Sequence, residues 1–241
     1  LLPTLGKARR AAQRAVDANN QRQIGYAANF YAEDNDQYLP RESFKPLGAG
    51  IGEFAPERPP WAVVLRPYID PDFPQRYWED EDRNDLFENA EYYKDPSRPK
   101  DDHRLNYVVN AFSFIEPGVA DNATRLNADR RKRAWDRSRI FRQAEAIYLT
   151  NLAEDETGGF AQQSANARDD IEATQLYDVF WARQVDGISD TLMRVAPAWY
   201  DSGPNCLFFD AHVALVDADD IRDVNTWDDG DYTWYRFATE N

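Results

Sequence analysis

At 241 residues the chain can bury a substantial core as one domain, or as one core carrying large insertions. With 42% apolar residues, 13 Phe, 13 Tyr and 7 Trp, it is too rich in groups that need burial to be a disordered polymer, although its mean hydropathy is only −0.77. A net charge of −15 argues against a nucleic-acid binder, whose footprint is basic, and fits an exposed extracellular surface kept soluble by self-repulsion.

In chain order, the first element is a basic, alanine-rich helix. Between Leu5 and Tyr31, small or apolar residues recur at Leu5, Ala8, Ala12, Ala15, Val16, Ile24, Ala27, Ala28 and Tyr31, a spacing that gathers them on one side of a helix. Lys7, Arg9, Arg10, Arg14 and Arg22 fall largely elsewhere. Such a helix is about 40 Å long at 1.5 Å per residue, too long to be buried lengthwise in a small globule, so part of it is expected to reach a membrane or another subunit. Residues 40 to 60 hold Pro40, Pro46, Gly48, Gly50, Gly52, Pro56, Pro59 and Pro60, and form a surface connection. Residues 61 to 69 read as a short helix stopped at Pro71, and the acidic, aromatic stretch from Arg76 to Tyr93 as partly helical. Leu105 to Ile115 alternates as a strand should and ends at Pro117-Gly118, while Ala144 to Leu152 is a second strand candidate.

Asp121 to Asp136 reads as a charged insertion with a helical turn, and Thr174 to Val185 has a helical pattern in Leu176, Tyr177, Phe180 and Trp181. Cys206 to Phe209 and His212 to Val216 flank Asp210-Ala211 as a tight hairpin. Ala211 stands where such a turn favours glycine, a cost of about 1 kcal/mol if φ is positive, so a locally different turn is expected there. Tyr232 to Phe237 is a final strand. The sum is an α+β fold, with one long N-terminal helix packed by its C-terminal half against a small antiparallel sheet. Residues 1–32 form the helix and 33–241 the head, with insertions around 40–104 and 116–204.

Three blocks in order resemble a known family. They are Leu1-Leu2-Pro3 with Leu5, Lys7, Ala8 and Arg9; then Asn19-Asn20 with Arg22-Gln23-Ile24-Gly25; then Tyr31, Asp34-Asn35-Asp36 and Tyr38-Leu39-Pro40. Together they resemble the start of a type IV pilin-like or type II secretion pseudopilin subunit, of the planctomycete-type group that ends in an H-X9-DG motif. Downstream, Trp61 to Ile69 resembles the family's short helix. Leu105 to Asn110 resembles its SYxxN strand, and Asn205 to Val213 its NxLFxDGHV strand pair. The chain departs from the pattern at three places. Tyr93-Lys94-Asp95-Pro96-Ser97 replaces a Cys-Pro pair, Tyr200 stands for the motif's histidine, and Ala211 for its glycine. The resemblance implies an apolar anchor ahead of Leu1, processed off or trimmed from this sequence, and the same helix-on-sheet fold. It also implies polymerisation into an extracellular or cell-surface filament after assembly at the periplasmic face of the inner membrane. Implied partners are other copies of the chain and the secretion or pilus machinery, with membrane contact only through that anchor. A minor subunit or surface module that binds a glycan or a secreted substrate is the alternative on the same scaffold.

Candidate chemistry is sparse. Cys206 is the single cysteine, so no intramolecular disulfide forms, and it lies in a strand where an inert hydrophobe is the usual outcome. A Cys206–His212 pair lacks an orienting third group, His103 is far away in sequence, and no hydrolase, nucleotide or zinc motif is present; the chain reads as a non-enzyme. The best hard-oxygen clusters for Ca²⁺ are Asp217, Asp219 and Asp220, then Asp228, Asp229 and Asp231, with Asp34 and Asp36 a third. Asp217, Asp219, Asp228 and Asp231 are the chosen ligands, set against the plain reading of solvated acidic turns. Arg130-Arg131-Lys132-Arg133 suits a solvated loop or an acidic neighbouring subunit, and the N-terminal arginines suit the same partner or anionic lipid. Asn122-Ala123-Thr124 is a glycosylation sequon by pattern only, and Trp78 and Trp227 could stack on sugars if exposed. The expected subunit interface is Leu5, Ala8, Ala12, Ala15 and Val16, with Asp17 and nearby arginines pairing across subunits while Ile24, Ala27, Ala28 and Tyr31 pack on their own sheet.

Overall fold

The computed structural model describes residues 2–40, 61–73, 90–99, 105–110, 137, 140, 142–152, 175–176, 199–222 and 226–227. Its first element is helix α1, Leu2–Asp34, about 50 Å long at 1.5 Å per residue. The helix ends where Asp36 and Gln37 take positive φ values of 53° and 70°, a conformation Asp tolerates well. The amide of Gln37 returns to the Ala32 carbonyl at 2.7 Å, and Asn35 Nδ2 donates to the Tyr31 carbonyl at 2.8 Å. Two of the last open carbonyls of the helix, those of Tyr31 and Ala32, are thereby satisfied.

Helix α2, Trp61–Ile69, confirms the short helix expected there, and the partly helical stretch before Tyr93 contains a 3-10 turn at Glu91–Tyr93. The sheet comprises β1 (Tyr107–Asn110), β2 (Ile147–Asn151), β3 (Gln175–Leu176), β4 (Asn205–Phe208) and β5 (Val213–Leu215). Its order is β3-β1-β2-β4-β5, antiparallel across β1-β2-β4-β5, with β3 parallel to β1. The architecture is α+β, an N-terminal helix on a small, mostly antiparallel sheet. One expected element is corrected: Gln175–Leu176 is not the start of a helix but a two-residue strand, because pairing with Val109 and Asn110 outweighs the local helical pattern. The insertions expected at 41–60 and 121–136, the strand residues 111–115 and the strand at 232–237 lie outside the described residues.

Two apolar clusters cover the two faces of the sheet. On one, Ile24, Ala27, Ala28 and Ala32 of α1 and Trp61 and Leu65 of α2 meet Tyr107, Val109, Leu149 and Leu207, with Tyr31 packed at the edge. The expected packing of Ile24, Ala27, Ala28 and Tyr31 on their own sheet is therefore present. On the other face Val108, Ile147, Cys206 and Phe208 meet Ile221 of the short helix α3 (Ala218–Arg222) and Trp227. Trp227 is fully buried and donates from Nε1 to the Ile221 carbonyl at 2.9 Å, which removes it as a sugar-stacking candidate. A register shift between Ile147 and Leu149 lets Tyr148 and Leu149 join the same cluster. Each large side chain buried in this way contributes roughly 1.5–3 kcal/mol.

Two glycines are fixed by close approach. A Cβ on Gly25 would sit 2.7 Å from Leu207 Cδ1 and 3.2 Å from Ala211 Cβ, so the helix touches β4 and the β4–β5 turn almost backbone to side chain. Gly203 has φ 145°, and a Cβ there would sit 1.8 Å from the Val216 carbonyl oxygen.

Candidate functional site

The face that holds α1 to the head is apolar from Ile24 onward but polar before it. Gln13 Nε2 donates to the Pro96 carbonyl at 3.0 Å, and Asn205 Nδ2 reaches the Arg14 carbonyl at 2.9 Å. One turn further along, Asp17 is fully buried. Its Oδ1 accepts from Tyr107 Oη at 2.7 Å and Asn151 Nδ2 at 3.0 Å; its Oδ2 accepts from Asn205 Nδ2 at 2.6 Å and Gln21 Nε2 at 3.4 Å. The same Asn151 Nδ2 donates at 3.0 Å to Oδ2 of a second buried carboxylate, Asp95. Asp95 also accepts from Trp199 Nε1 at 2.8 Å, the Ser97 amide at 2.8 Å and Tyr200 Oη at 3.1 Å. Each of the four carboxylate oxygens thus receives two donors, which offset the solvent that the two buried acids have lost.

Burial pushes the Asp17 carboxyl up to about 6, and the negative charge of Asp95 adds to the rise, while the donors Tyr107, Asn151 and Asn205 oppose it. The expected pairing of Asp17 with arginines of another subunit is overturned: the side chain points into its own head, where neutral amides and a phenol replace the solvent it has lost. Asp95 and Tyr200, far apart in sequence, bond each other. Tyr200 takes a left-handed backbone, φ 56°, to do so. Arg98 stacks over the Trp199 ring at 4.1 Å and donates to the Leu152 carbonyl, closing the loop around Asp95.

The structure places the expected interface residues together on the other side of α1. Leu5, Ala8, Ala12, Ala15 and Val16 are all exposed, Leu5 to 69% and Val16 to 50%. Going outward in steps of three or four residues, the same stripe continues through Asn19 and Gln23 to Tyr26 and Phe30, exposed to 56% and 55%. Sequence reasoning missed this second, aromatic half of the stripe, although its spacing from Val16 was the available signal. It also missed Asp17, Asn20 and Gln21 as buried, although each sits three to seven residues before Ile24 on the face that Ile24 defines.

The remaining candidates separate. Cys206 is buried, its thiol pushed up by desolvation, with Sγ 3.3 Å from Thr150 Oγ1. His212 is exposed, its Nδ1 2.5 Å from Asp210 Oδ1 and its ring stacked on Phe208 at 4.2 Å. The two residues therefore have different partners. Ala211 keeps the positive φ of 71° that glycine would take, so the turn is not altered as expected. Its amide bonds the Phe208 carbonyl at 3.0 Å, and its methyl is buried near Gly25, contacts that hold the strained residue in place. Asp217 and Asp219 are exposed before and within α3, whereas Asp228 and Asp231 lie outside the described residues, as do Trp78, His103, Asn122 and Arg130 to Arg133. Among the described residues, no group of three or more His, Cys, Asp or Glu side chains is placed to hold a metal, and no helix is long and apolar enough to cross a membrane. Comparison with family models, curated proteins and solved structures gives no match to this chain.

Proposed function

We propose that the chain is a structural subunit of a type IV pilus-like or type II secretion pseudopilus-like extracellular filament, assembling through its N-terminal helices. The observation that carries this reading is the unequal packing of α1: one face of its second half is buried on the sheet, while Leu5, Ala8, Ala12, Ala15 and Val16 are exposed together on the same helix. Small residues let a second helix approach closely, and an exposed apolar stripe on a helix gains by being covered. The role is structural rather than catalytic, a reading supported by the desolvated Cys206 thiol and by the engagement of His212 with Asp210.

Electron microscopy of the protein tests it. The wild type is expected to form regular filaments, and Ala8→Glu, Ala12→Glu and Ala15→Glu together are expected to abolish them without changing the circular dichroism of the head. Filaments from the triple variant would remove α1 from the interface. A wild type that stays monomeric and captures a glycan or secreted protein would favour a binding module instead.

A further inference from the structure

Helix α1 rests on the head through two chemically different seats. From Ile24 to Ala32 the seat is apolar. From Gln13 to Gln21 it is polar, and the buried carboxyl of Asp17 stands at its centre. Asn151 ties that carboxyl to a second one, because its Nδ2 donates at 3.0 Å to both Asp17 Oδ1 and Asp95 Oδ2. Two negative charges joined through one nitrogen repel each other, and a proton on Asp17 relieves the pair. The bonding pattern accommodates that proton. Tyr107 Oη lies 2.7 Å from Asp17 Oδ1 and 3.3 Å from the Lys94 carbonyl oxygen. The hydroxyl donates to Asp17 when the acid is ionised. When the acid is protonated, the hydroxyl can turn to Lys94 and accept from Asp17 instead, so no donor is stranded.

We propose that the seat from Gln13 to Gln21 is a proton-operated clasp, closed when Asp17 carries a proton and opened when Asp17 ionises, which frees the first half of α1 while Ile24 to Ala32 stay on the sheet. The clasp works within a single molecule and needs no second copy, so it stands apart from the filament reading. Around Asp17, burial pushes up Tyr107 on β1, Cys206 on β4 and Tyr200 in the turn Trp199–Asp201, so all three stay neutral at and below neutral pH. Strand β2 presents the neutral Asn151 and Thr150. The segment that carries Asp95 also carries Lys94, half-exposed, and Arg98, which is engaged with the Leu152 carbonyl and the Trp199 ring. On α1 itself Arg14, one turn before Asp17, is exposed. Asp17, pushed up to about 6, therefore ionises between acid and neutral pH. Gly25 marks the pivot, because there the helix comes nearest to Leu207 and the apolar seat holds it. Once released, the first half has no packed face, and a helix of that length is marginal in water by itself, so it frays.

Hydrogen–deuterium exchange of the full chain, dilute and unassembled, tests this, with each rate corrected for the intrinsic effect of pH. From pH 4 to 7.5 the protection of amides 14–22 should fall about fiftyfold, the change expected for a carboxyl that titrates at about 6 when docked and at 3.8 when free. Amides 26–34 of the same helix should keep their protection. Asp17→Asn, which cannot ionise, should keep both segments protected at both pH values. Asp95→Asn, which removes the neighbouring charge, should shrink the fall. Unchanged protection of amides 14–22 in the wild type overturns the proposal, as does an equal fall in amides 26–34, which would report unfolding of the whole head. A fall that persists in Asp17→Asn overturns it too. If Asp17→Asn does not fold, Asp95→Asn decides, and an undiminished fall in that variant overturns the clasp.

Discussion

The two halves of α1 are made from similar residues and meet different fates. Both are rich in alanine, and both have an apolar stripe at helical spacing, yet residues 4 to 12 are exposed throughout while Ile24, Ala27, Ala28 and Ala32 are buried. Two features make the difference. Gly25 lets the helix backbone come within reach of Leu207 and Ala211, whereas Gly6 has nothing within 4 Å of where a Cβ would stand. Asp17, Asn20 and Gln21 supply a set of polar contacts to specific positions on the head, including Asn20 Nδ2 to the Lys94 carbonyl at 3.1 Å and Gln21 Nε2 to the Asn205 carbonyl at 3.0 Å. An apolar stripe alone therefore does not decide which half packs; a close-approach glycine and matched polar partners do.

The largest expected effect comes from the bridge between the two acids. Asn151→Ala removes one donor from each of two buried carboxylates and should cost about 3–5 kcal/mol, read as a lower chemical-denaturation midpoint. A loss under about 1 kcal/mol would mean that the polar contacts do not hold the helix. Next is the dependence on pH. The folded pKa of Asp17, about 6, lies above the ordinary carboxyl value of 3.8, so the native state binds this proton more readily than the unfolded chain. Its contribution is fully present below about pH 4 and is lost as pH rises through 6, a change on the order of 3 kcal/mol. Subtracting the denaturation profile of Asp17→Asn from that of the wild type across pH 4 to 7.5 should isolate this fall; a flat or rising difference contradicts the burial of the acid. A smaller effect contrasts the glycines. Gly25→Val should destabilise by about 1–3 kcal/mol through overpacking, while Gly6→Ala should stabilise by up to about 1 kcal/mol because alanine favours the helix. Equal thermal shifts for the two would erase the distinction between the halves.

Much of the framework was legible from local pattern. Trp61 to Ile69, the core of Leu105 to Asn110, Ala144 to Leu152 and the Cys206–Val216 hairpin carry their apolar residues close together in sequence, and α1 repeats its pattern over many turns. The polar core was not legible as a unit, because Asp17 meets Asn151 across 134 positions and Asn205 across 188. Nothing local marks Asn151 and Asn205 as its partners. The helical position of Asp17, seven residues before Ile24, was the single local sign that it faces inward. Gln175–Leu176 misled for the same reason: a strand two residues long is specified by its neighbour β1 and not by its own side chains. The interface residues were legible as a stripe, yet the stripe alone did not reveal that Tyr26 and Phe30 extend it.

The side chain of Asn151 also has a mechanical consequence. Tension applied to the arm travels along α1 and enters the head where Gln13 meets Pro96, Asn205 meets Arg14, and Tyr107, Asn151 and Asn205 converge on Asp17. These bonds lie on β1, on β2, on β4 and in the segment after the 3-10 turn, so the pull is divided among separate stretches of chain. Hydrogen bonds weaken steeply once stretched or bent, whereas apolar surfaces can slide over one another without an abrupt loss of contact. The joint between arm and head is therefore stiff under small forces and should fail by releasing the polar cluster first, with the apolar packing of Ile24 and Ala28 yielding only afterwards.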